Sequence, residues 1–197
     1  MKSMSSLVHV ARGTALGLLA WSAMAGANAA EFNTVVPERS TVAFSYKQMG
    51  VAMDGRFRKF SAQLNFDPAK PQAAQASLDV DIGSIDAGSA DANGEVVGKQ
   101  WFDAKAFPSA RFVAKSIKAA GPGRYDVAGS LSIKGRSIEV NAPASFKQEG
   151  ADGVFDGTFV IKRADFGIGN GPWADFDVVA NEVQIKFHLV ATSRRKP

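Results

Sequence analysis

The chain has 197 residues, no cysteine, and 23 Lys plus Arg against 19 Asp plus Glu, a formal charge of +4. Without cysteine there are neither disulfides nor thiolate metal sites, so stability must come from packing and hydrogen bonds. The basic residues are spread along the chain rather than gathered in a stripe, which argues against a nucleic-acid partner, and the length suits one domain with one core.

Residues 1–29 read as a secretory signal peptide. Lys2 and Arg12 precede an apolar run from Ala15 to Ala25, and Ala27-Asn28-Ala29 supplies the small-residue exit. That run is shorter than the ~20 residues a spanning helix needs. The expectation is an exported mature chain of residues 30–197 with no transmembrane segment, destined for the periplasm or secreted further. Losing the leader leaves 21 basic and 19 acidic residues, a net +2, so charge says little about partners.

From Thr34 the pattern is one strand after another. Val42, Phe44 and Tyr46 alternate with Thr41, Ala43 and Ser45 up to a turn at Gln48-Met49-Gly50. Arg56 to Phe66 then reads as a single strand with Phe60, Ala62, Leu64 and Phe66 on its apolar side. Asp67-Pro68 closes it, Pro71 breaks the connection, and Leu78, Val80 and Ile82 alternate with Ser77, Asp79 and Asp81. Between Gly83 and Gln100 the β-pattern stops, and the composition predicts a loop with a short helix around Ala90 to Val97.

Trp101 to Phe112 is the densest aromatic stretch. Trp101-Phe102 suits a helical turn, and Ala104 to Phe107 a short helix stopped by Pro108. A strand then follows with Phe112, Ala114 and Ser116 on one side and Val113, Lys115 and Ile117 on the other. Tyr125 to Ile133 and Ile138 to Phe146, turned at Lys134-Gly135-Arg136, make a hairpin. Phe155, Phe159 and Ile161 mark the next strand, and Val183, Ile185, Phe187 and Leu189 the last.

About eight antiparallel strands with short links and no βαβ crossovers must hide one apolar face. Curling the sheet into a lipocalin-like barrel with one or two short helices hides that face and removes exposed edges. A two-sheet sandwich is the alternative architecture.

Motifs for chemistry are weak. His188 is the only histidine of the mature chain and sits on the strand face opposite Val183 and Ile185, with no G-x-S-x-G elbow to make a triad. Asp86, Asp91, Asn93 and Glu95 miss the calcium-loop register because Gly94 directly follows Asn93. Asp79 and Asp81 share a strand face without a proton donor in view. Gly167-Ile168-Gly169-Asn170-Gly171 is followed by Pro172-Trp173 rather than a helix, so it reads as a turn that presents Phe166 and Trp173 to the interior. No catalytic residue, metal site or cofactor is expected.

Five pieces stand in order along the chain: Gly55-Arg56-Phe57 to Phe66-Asp67, Asp79 to Asp86, Trp101-Phe102-Asp103-Ala104 to Phe107-Pro108 and Phe112, Val127 to Gly135, and Lys162-Arg163-Ala164-Asp165-Phe166-Gly167. In this order and spacing they resemble the YceI-like family, also described as polyisoprenoid-binding and lipocalin-like. The resemblance implies an eight-stranded extended barrel with a long hydrophobic cavity, an exported binding protein without catalytic residues, and a long-chain isoprenoid or other amphiphilic lipid as partner; a homodimer is left open. Ser132 departs from the family's more common threonine. A carrier or scavenger is the leading function, against a side-chain-filled structural barrel and, further behind, a hydrolase.

Alternation turns Phe44, Phe60, Phe112, Leu131, Phe159 and Ile185 inward. The resemblance adds that they line a cavity, with Trp101, Phe102, Phe107, Phe166 and Trp173 at its ends. Two basic clusters at turns, Lys47 with Arg56, Arg58 and Lys59, and Lys134 with Arg136, could meet an anionic head group, although strand ends routinely carry solvated cations. Arg56 is the first candidate, because alternation along one strand puts it on the face of Phe60 and Leu64; the alternative is a fold-supporting pair with Asp54 or Asp67.

Overall fold

The computed structural model describes residues 31–193; the leader segment therefore lies outside the described residues. Eleven strands and one α-helix alternate with short 3-10 turns. The strands are β1 (Phe32–Val35), β2 (Thr41–Gln48), β3 (Val51–Phe57), β4 (Phe60–Asn65), β5 (Gln75–Asp81), β6 (Ile85–Asp86), β7 (Ser109–Gly121), β8 (Arg124–Ile133), β9 (Arg136–Glu149), β10 (Asp152–Lys162) and β11 (Glu182–Ser193). The helix α1 spans Ala90–Val96 and is capped by Ser89, whose Oγ accepts from the Ala92 amide at 3.2 Å. No helix among the described residues is long and apolar enough to cross a membrane.

All pairings are antiparallel, in the spatial order β4-β5-β7-β8-β9-β10-β11-β2-β3-β6, with β1 beside β11. The sheet curls because each strand has one apolar side, and β1, paired with β11, ties that strand to the β4 edge. Phe32 in β1 exchanges two backbone hydrogen bonds with Phe66, just past β4, at 2.9 and 3.0 Å. Tight hairpins at Met49-Gly50 and Lys134-Gly135 use consecutive left-handed residues, with φ of 47° and 79° and of 50° and 74°, the geometry whose twist matches the flanking strands.

Besides the strand count, three features differ from the expectation. The strand count is eleven rather than eight, partly through the two short strands β1 and β6. The 56–66 segment is two strands, not one. The chain breaks at Arg58-Lys59, where the Arg58 amide donates to the Ser84 carbonyl (3.1 Å) and the Asp81 amide donates to the Lys59 carbonyl (3.0 Å). Across this corner the inward parity switches from odd residues (Met53, Gly55, Phe57) to even ones (Ala62, Leu64), and Arg56 is left on the outer face. Second, β7 carries an irregularity against β8 between Ala114 and Ser116. It moves Ile117, 6% exposed, to the same side as Phe112. Third, residues 101–107 form turns rather than a helix, because Asp103 adopts φ 50° and its carbonyl gathers the amides of Ala106 (2.9 Å) and Phe107 (2.8 Å).

Two apolar clusters fill the ends of the barrel. One, around Val80, Ile82, Trp101, Ile133, Phe166 and Ile168, lies at the end that carries the 101–107 turns. The other joins Phe32, Phe66, Ile117, Tyr125 and Phe155. In this second cluster Phe66 meets Tyr125, Phe146 and Phe155 at centroid distances of 5.2, 5.0 and 5.1 Å, two of them edge-on, the arrangement the ring quadrupoles favour.

Candidate functional site

Between the two clusters the sheet encloses a cavity of about 630 Å³. Its wall is built by the inward residues of β2 to β5 and β7 to β11, which are mostly aliphatic or aromatic because alternation sends most polar residues outward. Phe44, Phe112, Leu131, Phe159 and Ile185 stand on this wall. Trp101, Phe102 and Trp173 line the end nearest α1, and the Trp101 and Trp173 rings lie 5.5 Å apart.

Four of the sequence-predicted residues are elsewhere. Phe60 shares the inward face of Ala62 and Leu64 but packs against the core cluster at the start of β4 without lining the cavity. Phe107 covers the Lys134-Gly135 turn, where a Cβ on Gly135 would come within 2.9 Å of its ring. Phe166 is buried in the core at 2% exposure but does not reach the cavity. Arg56 points outward, with its side chain 65% exposed, and its Nε lies 3.6 Å from Asp86 Oδ2. Neither Asp54 nor Asp67 is its partner. The inward assignment fails because alternation was carried across a corner at which the strand changes face.

Of the other proposed cations, Arg58, Lys134 and Arg136 are engaged. Arg58 donates to Asp86 at 2.9 Å, and this bond, followed by the Gly88 amide, holds the Asp86 carboxyl below the usual carboxylate range. Lys134 Nζ donates to the carbonyls of Gly167 (2.9 Å) and Lys99 (3.1 Å), and burial lowers its pKa. Arg136 donates to the Asp165 carbonyl at 3.0 Å. These contacts tie the β8–β9 turn to the 163–171 segment.

Sequence reasoning missed three contributors. Phe57 and Tyr46 line the wall beside Phe44; burial pushes the Tyr46 phenol up, and likewise that of Tyr125 at the opposite end. Asp91 and Glu95 of α1 reach the cavity lining, and Glu95 Oε1 accepts from Trp173 Nε1 at 2.8 Å. The third is Arg163, 2% exposed. Its five N–H groups all donate to backbone carbonyls: Ala180 (3.2 Å), Ile168 and Gly169 (2.9 Å each), Trp173 and Val179 (2.7 Å each). Its guanidinium also sits 5.7 Å from the Trp101 ring centroid. Arg163 thus shapes the glycine-rich 167–171 turn, where Gly169 at φ 75° leaves room that a Cβ would take from Nη1 at 2.2 Å. The available signal was an arginine a few residues before a glycine-rich turn. His188 lies on the outer face, with Nδ1 2.7 Å from Asp156 Oδ1, away from the cavity.

Residues 34–191 match the model of the YceI-like domain. The chain belongs to the YceI-like family. Among its relatives, a UPF0312 protein of Pseudomonas syringae pv. tomato is 30% identical over 192 residues, covering 92% of this chain and 98% of that one. The crystal structure of Burkholderia cenocepacia BcnA superposes with a TM-score of 0.79 at 48% identity, over 80% of this YceI-like chain and 99% of that one. A domain of Saccharophagus degradans, described as polyisoprenoid-binding and implicated in plant cell wall breakdown, shares the fold at a TM-score of 0.66 and 17% identity, over 83% and 99% of the two chains.

Proposed function

We propose that this YceI-like protein is a non-catalytic binding protein that is exported to the periplasm and holds a long-chain amphiphile in its barrel, as carrier, store or scavenger. The observation that carries the reading is the cavity itself: about 630 Å³ of apolar volume left unfilled by side chains, within the range of ligand pockets. A barrel serving only as a rigid adaptor would gain stability by filling that space. One end is stoppered by interlocking rings, while Ser89, Asp91 and Glu95 stand at the other. This polarity orients an amphiphile tail-first toward Phe66 and Phe155. The Saccharophagus domain's description as polyisoprenoid-binding supports an isoprenoid chain, whether a polyisoprenoid, an isoprenoid quinone or a similar lipid.

Burial alone supplies the affinity, since each methylene contributes ~0.8 kcal/mol and ~10 of them correspond to roughly micromolar binding before ordering costs. Native mass spectrometry on protein purified without detergent, followed by organic extraction, tests the reading. A co-purifying lipid of defined mass is expected. An empty barrel that takes up no long-chain amphiphile would favour the adaptor function.

A further inference from the structure

The two tryptophans at the α1 end of the cavity differ in one respect. Trp173 Nε1 donates to Glu95. Trp101, 8% exposed and part of the cavity wall, has an Nε1 that is shut off from solvent and lacks any hydrogen-bond partner among the described residues. A buried donor left unmade is costly, and native proteins rarely tolerate one without a reason. Gly169 and Trp173 lie beside the Trp101 ring; their carbonyls and that of Ile168 accept from Arg163, and the Glu95 carboxylate accepts from Trp173.

We propose that Trp101 Nε1–H is the donor for a neutral oxygen on the bound chain, a hydroxyl, ether or carbonyl, and that it selects such lipids over those ending in an oxyanion. This inference rests on the carrier reading and specifies its polar end. The preference for a neutral oxygen follows from the neighbours. An oxyanion taken out of water needs several donors, whereas the nearest cation, Arg163, has all five N–H groups committed. Of the other charged groups in the wall, Asp91 and Glu95 repel it, and Arg111, whose side chain is 54% exposed, faces Asp79 at 3.6 Å. A hydroxyl, ether or carbonyl needs only one donor, and its chain continues into the apolar barrel.

The test uses the mature chain, residues 30–197, with geranylgeraniol, geranylgeranyl phosphate and phytane, a hydrocarbon of the same carbon count. Trp101→Phe keeps most of the ring and removes the donor. It is expected to weaken geranylgeraniol by about three- to tenfold more than it weakens phytane, the worth of one neutral hydrogen bond. In the unsubstituted protein the Trp101 indole ¹H–¹⁵N resonance is expected to move on saturation with geranylgeraniol and not with phytane, a readout that does not depend on the variant folding. Equal weakening of both ligands, an indole resonance unmoved by bound alcohol, or a phosphate that binds as tightly as the alcohol would each overturn the proposal while leaving the carrier intact. Failure of all three ligands to bind the unsubstituted protein would overturn the carrier reading with it.

Discussion

Arg163 shows how one side chain can organise a loop without an ion pair. Its planar fork satisfies five carbonyls of residues 168–180 that would otherwise be buried or poorly solvated. Arg163→Met is expected to cost at least about 3 kcal/mol, since several acceptors lose their donor at once, and Arg163→Lys should recover little because an ammonium cannot reproduce the fork. Urea unfolding of both variants checks this. Asp86 is the complementary case on the surface. Its carboxyl is held below its usual value of 3.8, chiefly by Arg58. The folded state therefore binds that proton less tightly than the unfolded one. The stabilisation is present above the unfolded value and fades as pH falls through the lower folded value. In a carboxyl-detected NMR titration, Arg58→Gln should bring the Asp86 midpoint back up toward 3.8; an unchanged midpoint would mean that Arg58 is not its cause.

At the scale of the strands, the cavity owes its width to glycines that sit opposite rings. Gly157 pairs with Phe187 across β10 and β11, and Gly55 with Phe44 across β2 and β3. A Cβ at these positions would come within 2.1 and 2.2 Å of the respective rings. The rings therefore lie flat along the wall, which covers the backbone and leaves the lumen open. Gly157→Ala must push Phe187 toward the lumen. We expect a stability loss of about 1–3 kcal/mol from overpacking, together with weaker binding of a long chain. Calorimetric titration with geranylgeraniol beside a thermal melt separates the two effects, and unchanged affinity would show that Phe187 relaxes outward instead.

For the whole molecule, the decisive contact joins the two ends of the described chain. Phe32, fully buried, bridges β11 to the end of β4 and packs against Phe146 at 5.2 Å. Phe32→Ala should cost about 3–5 kcal/mol, the range for a truncated core phenylalanine, measured by equilibrium unfolding. β1 begins only a few residues after the expected cleavage site, so cleavage there would leave Phe32 in the chain. Intact-mass measurement of protein from the periplasm should give a chain starting near Ala30 or Glu31. A membrane-bound chain that still carries its first 25 residues would contradict export as a soluble protein.

The hairpins and most of the wall were legible in the sequence, because period-two alternation is a local property. Leu131 and Ile185 keep the side it assigns them, and the Lys134-Gly135 turn is written in its residue types. The YceI-like resemblance added the barrel and its cavity. Alternation failed wherever the chain changed face without announcing it. At Arg58-Lys59 the corner is held by hydrogen bonds to Ser84 and Asp81, residues more than twenty positions away, so nothing near Arg56 signals that it points outward. The irregularity in β7 likewise exists only through its pairing with β8. Trp101 and Arg163 could be read as an aromatic and a charge; that the first is an orphaned donor on a cavity wall and the second a hub of carbonyls depends on which backbone groups meet there. Local pattern determined the strands and their apolar faces, while closure of the sheet, an interaction between distant segments, decided which residues share the cavity.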